Sequence, residues 1–288
     1  GEQYTAGAAV GNGLYKTIDG GSSWVEVPIT PAGPGNLNAP SNLFTAGIFF
    51  ITDVIVWDNN GSSEVFVGVG STIYASPNFN ISNPNNILGA QNAGLYRSPD
   101  DGTSWSRIEN ISMEYIFGGQ SFYVAPNDFE ISANNILYMG TISVPGTNFG
   151  GGRLYQSTDG INWNLQSTIT GGDRIEIAAS STNQNLFYIA AQVAGEGNLY
   201  KSVDALLTTT AINEPNDADS SIPPADFTRG QAFYDLVIEV DPTNDQIIYA
   251  GGIDSFRSIN GGASWNQISK WVDAFGLENL NISFVHAD

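Results

Sequence analysis

Leu95-Tyr96-Arg97-Ser98-Pro99-Asp100-Asp101-Gly102-Thr103-Ser104-Trp105 is the stretch that decides the fold. The phrase also occurs upstream, as Leu14-Tyr15-Lys16-Thr17-Ile18-Asp19-Gly20-Gly21-Ser22-Ser23-Trp24. It returns one residue shorter as Leu154-Tyr155-Gln156-Ser157-Thr158-Asp159-Gly160-Ile161-Asn162-Trp163. A fourth copy, Leu199-Tyr200-Lys201-Ser202-Val203-Asp204, is worn and continues with neither Gly nor Trp. A fifth, Ser255-Phe256-Arg257-Ser258-Ile259-Asn260-Gly261-Gly262-Ala263-Ser264-Trp265, has Asn in place of Asp. The residue types are those of a hairpin turn. Glycine supplies the positive φ, and Asp or Asn bonds back to the turn amides. The Ser or Thr two residues earlier adds a side-chain to backbone bond. The tryptophan then staples the turn by burying a large ring. Asp19, Trp24, Asp100, Trp105, Asp159, Trp163, Asp204, Asn260 and Trp265 therefore read as structural residues.

Two further phrases precede each copy. One is an aromatic followed by small residues, as in Phe66-Val67-Gly68-Val69, Tyr138-Met139-Gly140-Thr141, Tyr188-Ile189-Ala190-Ala191 and Tyr249-Ala250-Gly251-Gly252, with Tyr4-Thr5-Ala6-Gly7 ahead of the first copy. The other is an alternating β-branched run: Asp53-Val54-Ile55-Val56, Asp128-Phe129-Glu130-Ile131, Arg174-Ile175-Glu176-Ile177 and Asp235-Leu236-Val237-Ile238. Both read as strands. Each unit is then four short strands, A to D from the centre outward, with the Leu-Tyr phrase as C and D starting at the tryptophan. Repeats of this size predict an all-β protein, a β-propeller of four-stranded antiparallel blades. Five blades are expected in a single domain spanning 1–288. Their cores are approximately 1–27 (with 280–285), 48–109, 122–167, 174–212 and 233–269.

The first unit has no strand A of its own, whereas Leu280 to Val285 reads as a surplus one. Two expectations follow. The last strand completes the first blade and closes a ring, which removes exposed sheet edges, or the chain is an excerpt of a longer propeller.

The pattern Ser/Thr-x-Asp-x-Gly-x-x-Trp resembles the Asp-box, or BNR repeat, found in the blades of sialidases, xyloglucanase-type glycoside hydrolases, sortilin-type receptors and a photosystem II assembly factor. The resemblance covers the whole chain in blade pattern and only the turns in identity. It implies that the boxes lie on outer C–D hairpins, away from the ligand face, and it does not choose among those functions.

Composition narrows the choice. Nine Lys and Arg stand against 29 Asp and Glu, a net charge of −20. Such a surface repels phosphate backbones and anionic lipid, and it conflicts with the basic patch of the photosystem factor. There is no Cys and one His, His286. Disulfides, thiolate metal sites and multi-His metal sites are excluded within this chain. No apolar run approaches the length of a bilayer span. Of six arginines, Arg97, Arg107 and Arg257 fall beside the boxes, and no Arg-Ile-Pro phrase of the sialidase type is present.

A hydrolase would need two carboxylates across a cleft. Asp53, Asp128 and Asp235 start A strands, where a propeller mouth would gather them. The alternative is that these acids bond to neighbouring backbone amides. Calcium is the candidate ion, at the oxygen-rich runs Glu214–Asp219 and Asp241–Asp245. Long inserts, Pro28–Gly47, Gly70–Gly94 and Thr208–Gln231, offer ligand-binding loops. The candidate ligand residues are Tyr74, Phe79, Asn148, Phe149 and Arg174. The reading is a secreted or cell-surface bacterial propeller that binds glycan or protein without catalysis. The alternatives are a glycoside hydrolase of the xyloglucanase-like type and one domain of a large secreted adhesin or secretion-system cargo.

Overall fold

The alternating β-branched runs become strands because one face of each can be buried while the other carries polar groups. A computed structural model describes residues 11–32, 48, 50–73, 87–144 and 148–285. In chain order the strands are β1 (Leu14–Lys16), β2 (Val25–Val27), β3 (Phe50–Asn59), β4 (Ser62–Gly70), β5 (Thr72–Ile73), β6 (Ile87–Leu88), β7 (Gly94–Ser98) and β8 (Ser106–Arg107). Next come β9 (Glu114–Phe117), β10 (Gln120–Tyr123), β11 (Ala125–Ile131), β12 (Leu137–Ile142), β13 (Arg153–Ser157), β14 (Asn164–Thr168), β15 (Gly172–Ala179) and β16 (Phe187–Val193). The last are β17 (Glu196–Ser202), β18 (Thr210–Ala211), β19 (Val237–Val240), β20 (Ile248–Gly251), β21 (Ser255–Ser258), β22 (Asn266–Gln267), β23 (Ser269–Lys270) and β24 (Ser283–Phe284).

The chain divides into two compact units, one of residues 1–129, 141–151 and 157–164, the other of residues 130–140, 152–156 and 165–288. In the first unit, β3-β4-β7-β8 is a four-stranded sheet in the expected A-B-C-D order, and β1-β2 is the outer hairpin of the first repeat. In the second unit, β19-β20-β21-β22 repeats that order. The third and fourth repeats do not form separate sheets. They join in an eight-stranded sheet that runs β14-β13-β12-β15-β16-β17-β18, with β11 on β12. Gly140 permits the join: a Cβ there would lie 2.8 Å from Ile175 Cγ2 and 2.9 Å from its carbonyl oxygen. Pairing of β24 is also unlike the expectation. It runs parallel to β23, and Val285 N–H donates to Lys270 O. Residues 4–10, the partner expected for ring closure, lie outside the described residues.

All five turns have the predicted hydrogen bonds. In the second, Gly102 N–H donates to Ser98 Oγ at 2.8 Å, Ser104 N–H to Asp100 Oδ1 at 2.8 Å and Ser104 Oγ to Asp100 Oδ2 at 2.6 Å. The same bonds hold the Asp19 turn, and Asn162 supplies them at Asp159. These donors hold the carboxyl groups of Asp19 and Asp159 down to about 2, against burial at Asp159. At Asn260 one bond reverses: its amide donates to Ser264 Oγ at 2.9 Å, so the turn survives without a charge.

The worn fourth copy is complete in geometry. Leu206 N–H donates to Ser202 Oγ at 2.9 Å, and Thr208 N–H and Oγ1 donate to Asp204 at 2.9 and 2.6 Å. Ala205 and Leu206 occupy the glycine positions at φ 59° and 67°, a region costly for residues with a Cβ. Leu206 is fully buried in a cluster with Tyr138, Leu154 and Phe187, which offsets its strain. Ala205→Gly should therefore stabilise the protein by about 0.5–1 kcal/mol. Leu206→Gly should destabilise it by about 2 kcal/mol or more, because lost burial outweighs relieved strain. Urea unfolding midpoints measure both.

The tryptophans do not all staple as expected. Trp163 is 1% exposed and Trp105 9%, but Trp24 is 60% exposed and Trp265 is partly exposed. The reason lies in what each turn meets. Gly160 packs against Phe66, Trp57 and Glu64 of the second repeat, and Gly102 against Val27 of the first. Gly262 packs against Ile212 of the fourth. The second, third and fifth boxes are thus riveted to the repeat before them. The first box has no preceding repeat among the described residues, and its ring stays in solvent.

Candidate functional site

The acids expected at a mouth are used differently. Asp53 accepts from Val54 N–H at 2.7 Å through Oδ1 and from Phe129 N–H at 2.9 Å through Oδ2. Burial pushes its carboxyl up, and those two amides pull it back. Both oxygens are spent on backbone, the second of them on a strand of the next repeat. Asp128 is partly buried within β11. Asp235 lies in the turn before β19 rather than at its start, and its N–H donates to Gln231 O at 2.8 Å.

Arg174 is not a mouth residue awaiting an anion. It is 8% exposed, pairs with Glu176 at 2.5 Å, and donates from Nη1 to Tyr234 O at 2.6 Å. Tyr74 and Phe79 lie outside the described residues. Asn148 is exposed at φ 52°, in the turn that presents Phe149. Phe149 is 44% exposed and stacks on Tyr115 with ring centres 5.5 Å apart. Tyr115 in turn stacks on Phe122 at 5.9 Å, so a short aromatic pile stands behind one exposed ring.

The oxygen-rich runs resolve into local turns and one buried cluster. Asp241 accepts from Thr243 N–H at 2.8 Å and Thr243 Oγ1 at 2.7 Å. Asp245 accepts from Ser180 Oγ at 2.5 Å and Thr182 Oγ1 at 2.9 Å. Among the described residues, no group of three or more Asp, Glu or His is arranged to hold a metal ion.

The open cleft of the second unit lies where two of the sequence signals meet. It has a volume of about 720 Å³. One wall is the start of the long fourth-repeat insert: Ile212, Asn213, Glu214 and Asn216, with Pro224 beyond. The other wall is the fifth box, Ala263 to Trp265. The sequence marked the insert as a candidate ligand loop and Trp265 as a structural residue, and the fold sets the two side by side. Trp265 Nε1 donates to Asn213 O at 2.7 Å, and Asn213 Nδ2 donates to Ala263 O at 2.7 Å. These two bonds tie the walls together and fix the indole. Glu214 is pushed up to about 7 by burial and by the nearby Asp226 and Glu196 charges. Near neutrality its carboxyl can therefore donate as well as accept. The site presents amide, hydroxyl and protonatable carboxyl groups beside a fixed aromatic ring.

No protein-family model and no curated protein matches the sequence. Solved structures do. A GH74 enzyme from Niastella koreensis superposes with a TM-score of 0.56 at 18% identity, covering 88% of this chain and 34% of that one. The fold is a β-propeller. The Hadza microbial sialidase Hz136 superposes on the same propeller at TM-score 0.52 and 12% identity, over 87% of this chain and 50% of the other. The chain thus spans about a third to a half of these neighbours. In the described repeats of this propeller the recurring hairpins are held by their own side-chain bonds, and the cleft lies beside the fifth of them.

Proposed function

We propose that this propeller is a non-catalytic binding module, and that its ligand is a neutral polysaccharide segment held in the cleft beside Trp265. The observation that carries the reading is the lining itself: a pinned indole among Asn213, Asn216 and Ser264, with Glu214 as its one ionisable group. An aromatic face and planar amides suit the apolar and hydroxyl faces of a sugar ring. Hydrolysis of a glycosidic bond needs two carboxyl groups across the scissile bond, and this lining offers one. The acidic composition supports a secreted or cell-surface setting, where such ligands occur. The length of the GH74 neighbour is consistent with this module working beside further domains.

Affinity electrophoresis and calorimetry against a panel of soluble neutral glucans, xyloglucans and mannans test this. Wild type is expected to be retarded by at least one of them, and Trp265→Ala to weaken that binding about tenfold or more, roughly 1.4 kcal/mol. Asn216→Ala, which leaves the ring in place, should weaken it less. Release of reducing sugar by wild type that is lost in Asp128→Ala or Asp235→Ala would overturn the binding reading in favour of the hydrolase.

A further inference from the structure

Next to the cleft, the insert is fastened to the last sheet by a buried carboxyl cluster. Asp217, Asp219 and Asp254 are 7%, 1% and 1% exposed. Asp219 has its partners: Oδ1 accepts from Ser221 N–H at 2.7 Å and Oδ2 from Trp271 Nε1 at 2.8 Å. Burial works against its charge, yet these donors and the Arg229 charge hold its carboxyl below the ordinary value. Asp254 accepts from Gln267 Nε2 at 3.0 Å and from Ser269 Oγ at 3.3 Å. Asp217 accepts from Asp219 N–H at 2.8 Å through Oδ1. Its Oδ2 is buried and meets no fixed donor.

What Asp217 faces is Gln267 and the Asp254 carboxyl. The amide of Gln267 has two hydrogens, and both are used, on Asp254 and on Ser269 O at 3.1 Å. Gln267 Oε1 is also occupied, by Ala218 N–H at 2.9 Å. With the Gln267 hydrogens already committed, a proton carried on the facing Asp254 carboxyl would supply the donor that Asp217 Oδ2 lacks. Two ionised carboxylates in contact, out of water and beside a third, repel strongly. One proton between them removes the repulsion and supplies the missing bond.

We propose that Asp217 and Asp254 share one proton, and that its loss unlatches residues 213–219, which include the insert side of the cleft, from the last sheet. Burial and the Asp217 charge push the Asp254 carboxyl up to about 7, which places the release near neutrality. The sign follows. The folded pair holds a proton that the unfolded carboxyls release near 3.8, so the pair's contribution to stability is complete below that value, is lost as pH rises to the folded value near 7, and levels off above it. The charged groups facing the pair are Asp219 and, through it, Arg229. Lys270 is turned elsewhere, onto Asp273 and the carbonyls of Leu277 and Leu280. The consequence for ligand affinity rests on the cleft reading; the latch itself does not.

Thermal melts from pH 5 to pH 8.5 test the latch, with no glycan present. Glu214 titrates in the same range, so the background is Glu214→Gln. The Tm of that background is expected to fall by about 5 °C or more across the range. Adding Asp254→Asn should flatten the profile, since an amide donates to Asp217 permanently and still accepts from Ser269. Asp217→Asn, a second variant if the first folds poorly, should flatten it as well. Hydrogen exchange corrected for intrinsic rate should show the opening confined to 213–221 and absent in Asp254→Asn. A pH profile unchanged by both substitutions would overturn the proposal. So would calcium that raises the Tm at pH 8 in the background and not in Asp254→Asn, because the pair would then hold a cation instead of a proton.

Discussion

Trp163→Ala is expected to cost about 3–5 kcal/mol, while Trp24→Ala, the same motif position, costs less than about 1 kcal/mol. Trp163 is 1% exposed and lies edge-on to Phe66, ring centres 6.1 Å apart, with Phe66 in turn edge-on to Trp57 at 6.3 Å. Removing the indole opens a cavity among rings that cannot collapse together, since Ser112 Oγ also bonds Trp163 O at 2.9 Å and fixes the backbone. Trp24 has most of its surface in water, so there is little burial to lose. Urea midpoints at constant m-value decide the matter. Equal costs at the two positions would mean that the ring stabilises its own hairpin, and the inter-repeat rivet would be wrong.

Arg97→Met is expected to cost about 3–5 kcal/mol, because it strands a buried charge. Arg97 Nε and Nη2 grip Glu64 Oε2 and Oε1, each at 2.6 Å, and the Glu64 side chain is 5% exposed. Asn59 Nδ2 adds a bond to Glu64 at 3.0 Å. The pairing with Arg97 holds the Glu64 carboxyl below its ordinary value, against burial. The contribution of the pair is therefore present above the unfolded glutamate range and lost as pH falls through the lower folded value. The penalty of Arg97→Met should shrink in acid, where Glu64 is neutral in both proteins. Replacing both partners, Arg97→Met with Glu64→Leu, should return much of the stability, since desolvation of two charges is no longer required. A double variant as unstable as the single one would show that the pair is irreplaceable packing rather than compensated charge.

The repeat was legible because hairpin chemistry is local. A turn needs positive φ at fixed offsets and a carboxylate or amide four residues before the amide it caps, and those demands are visible in eleven residues. The fourth copy shows how far this extends: Ser202, Asp204 and Thr208 alone build the whole network. The strands were legible in most repeats for the same reason, and β19 was misplaced by two residues because Asp235 and Leu236 continue the alternation without continuing the strand. The site was only partly legible. The insert from Thr208 was marked by its length as a candidate ligand loop, while nothing in the sequence placed Trp265 beside it. Asp53, a candidate acid only for the hydrolase alternative, binds Phe129 N–H, as the backbone-bonding alternative had it, because an inner-strand end needs a partner for its neighbour's amide as much as an enzyme needs an acid.

Local spacing alone determined that this chain carries recurring Asp- or Asn-capped β-hairpins, since every bond in those turns joins residues at most four positions apart. Which tryptophan is buried, which acid is free and which loop meets which hairpin were decided by tertiary structure. Those outcomes depend on contacts between residues about fifty or more positions apart, as between Trp265 and Asn213 or Asp53 and Phe129. Burial and the cost of charge are properties of such neighbours, and no single repeat contains them.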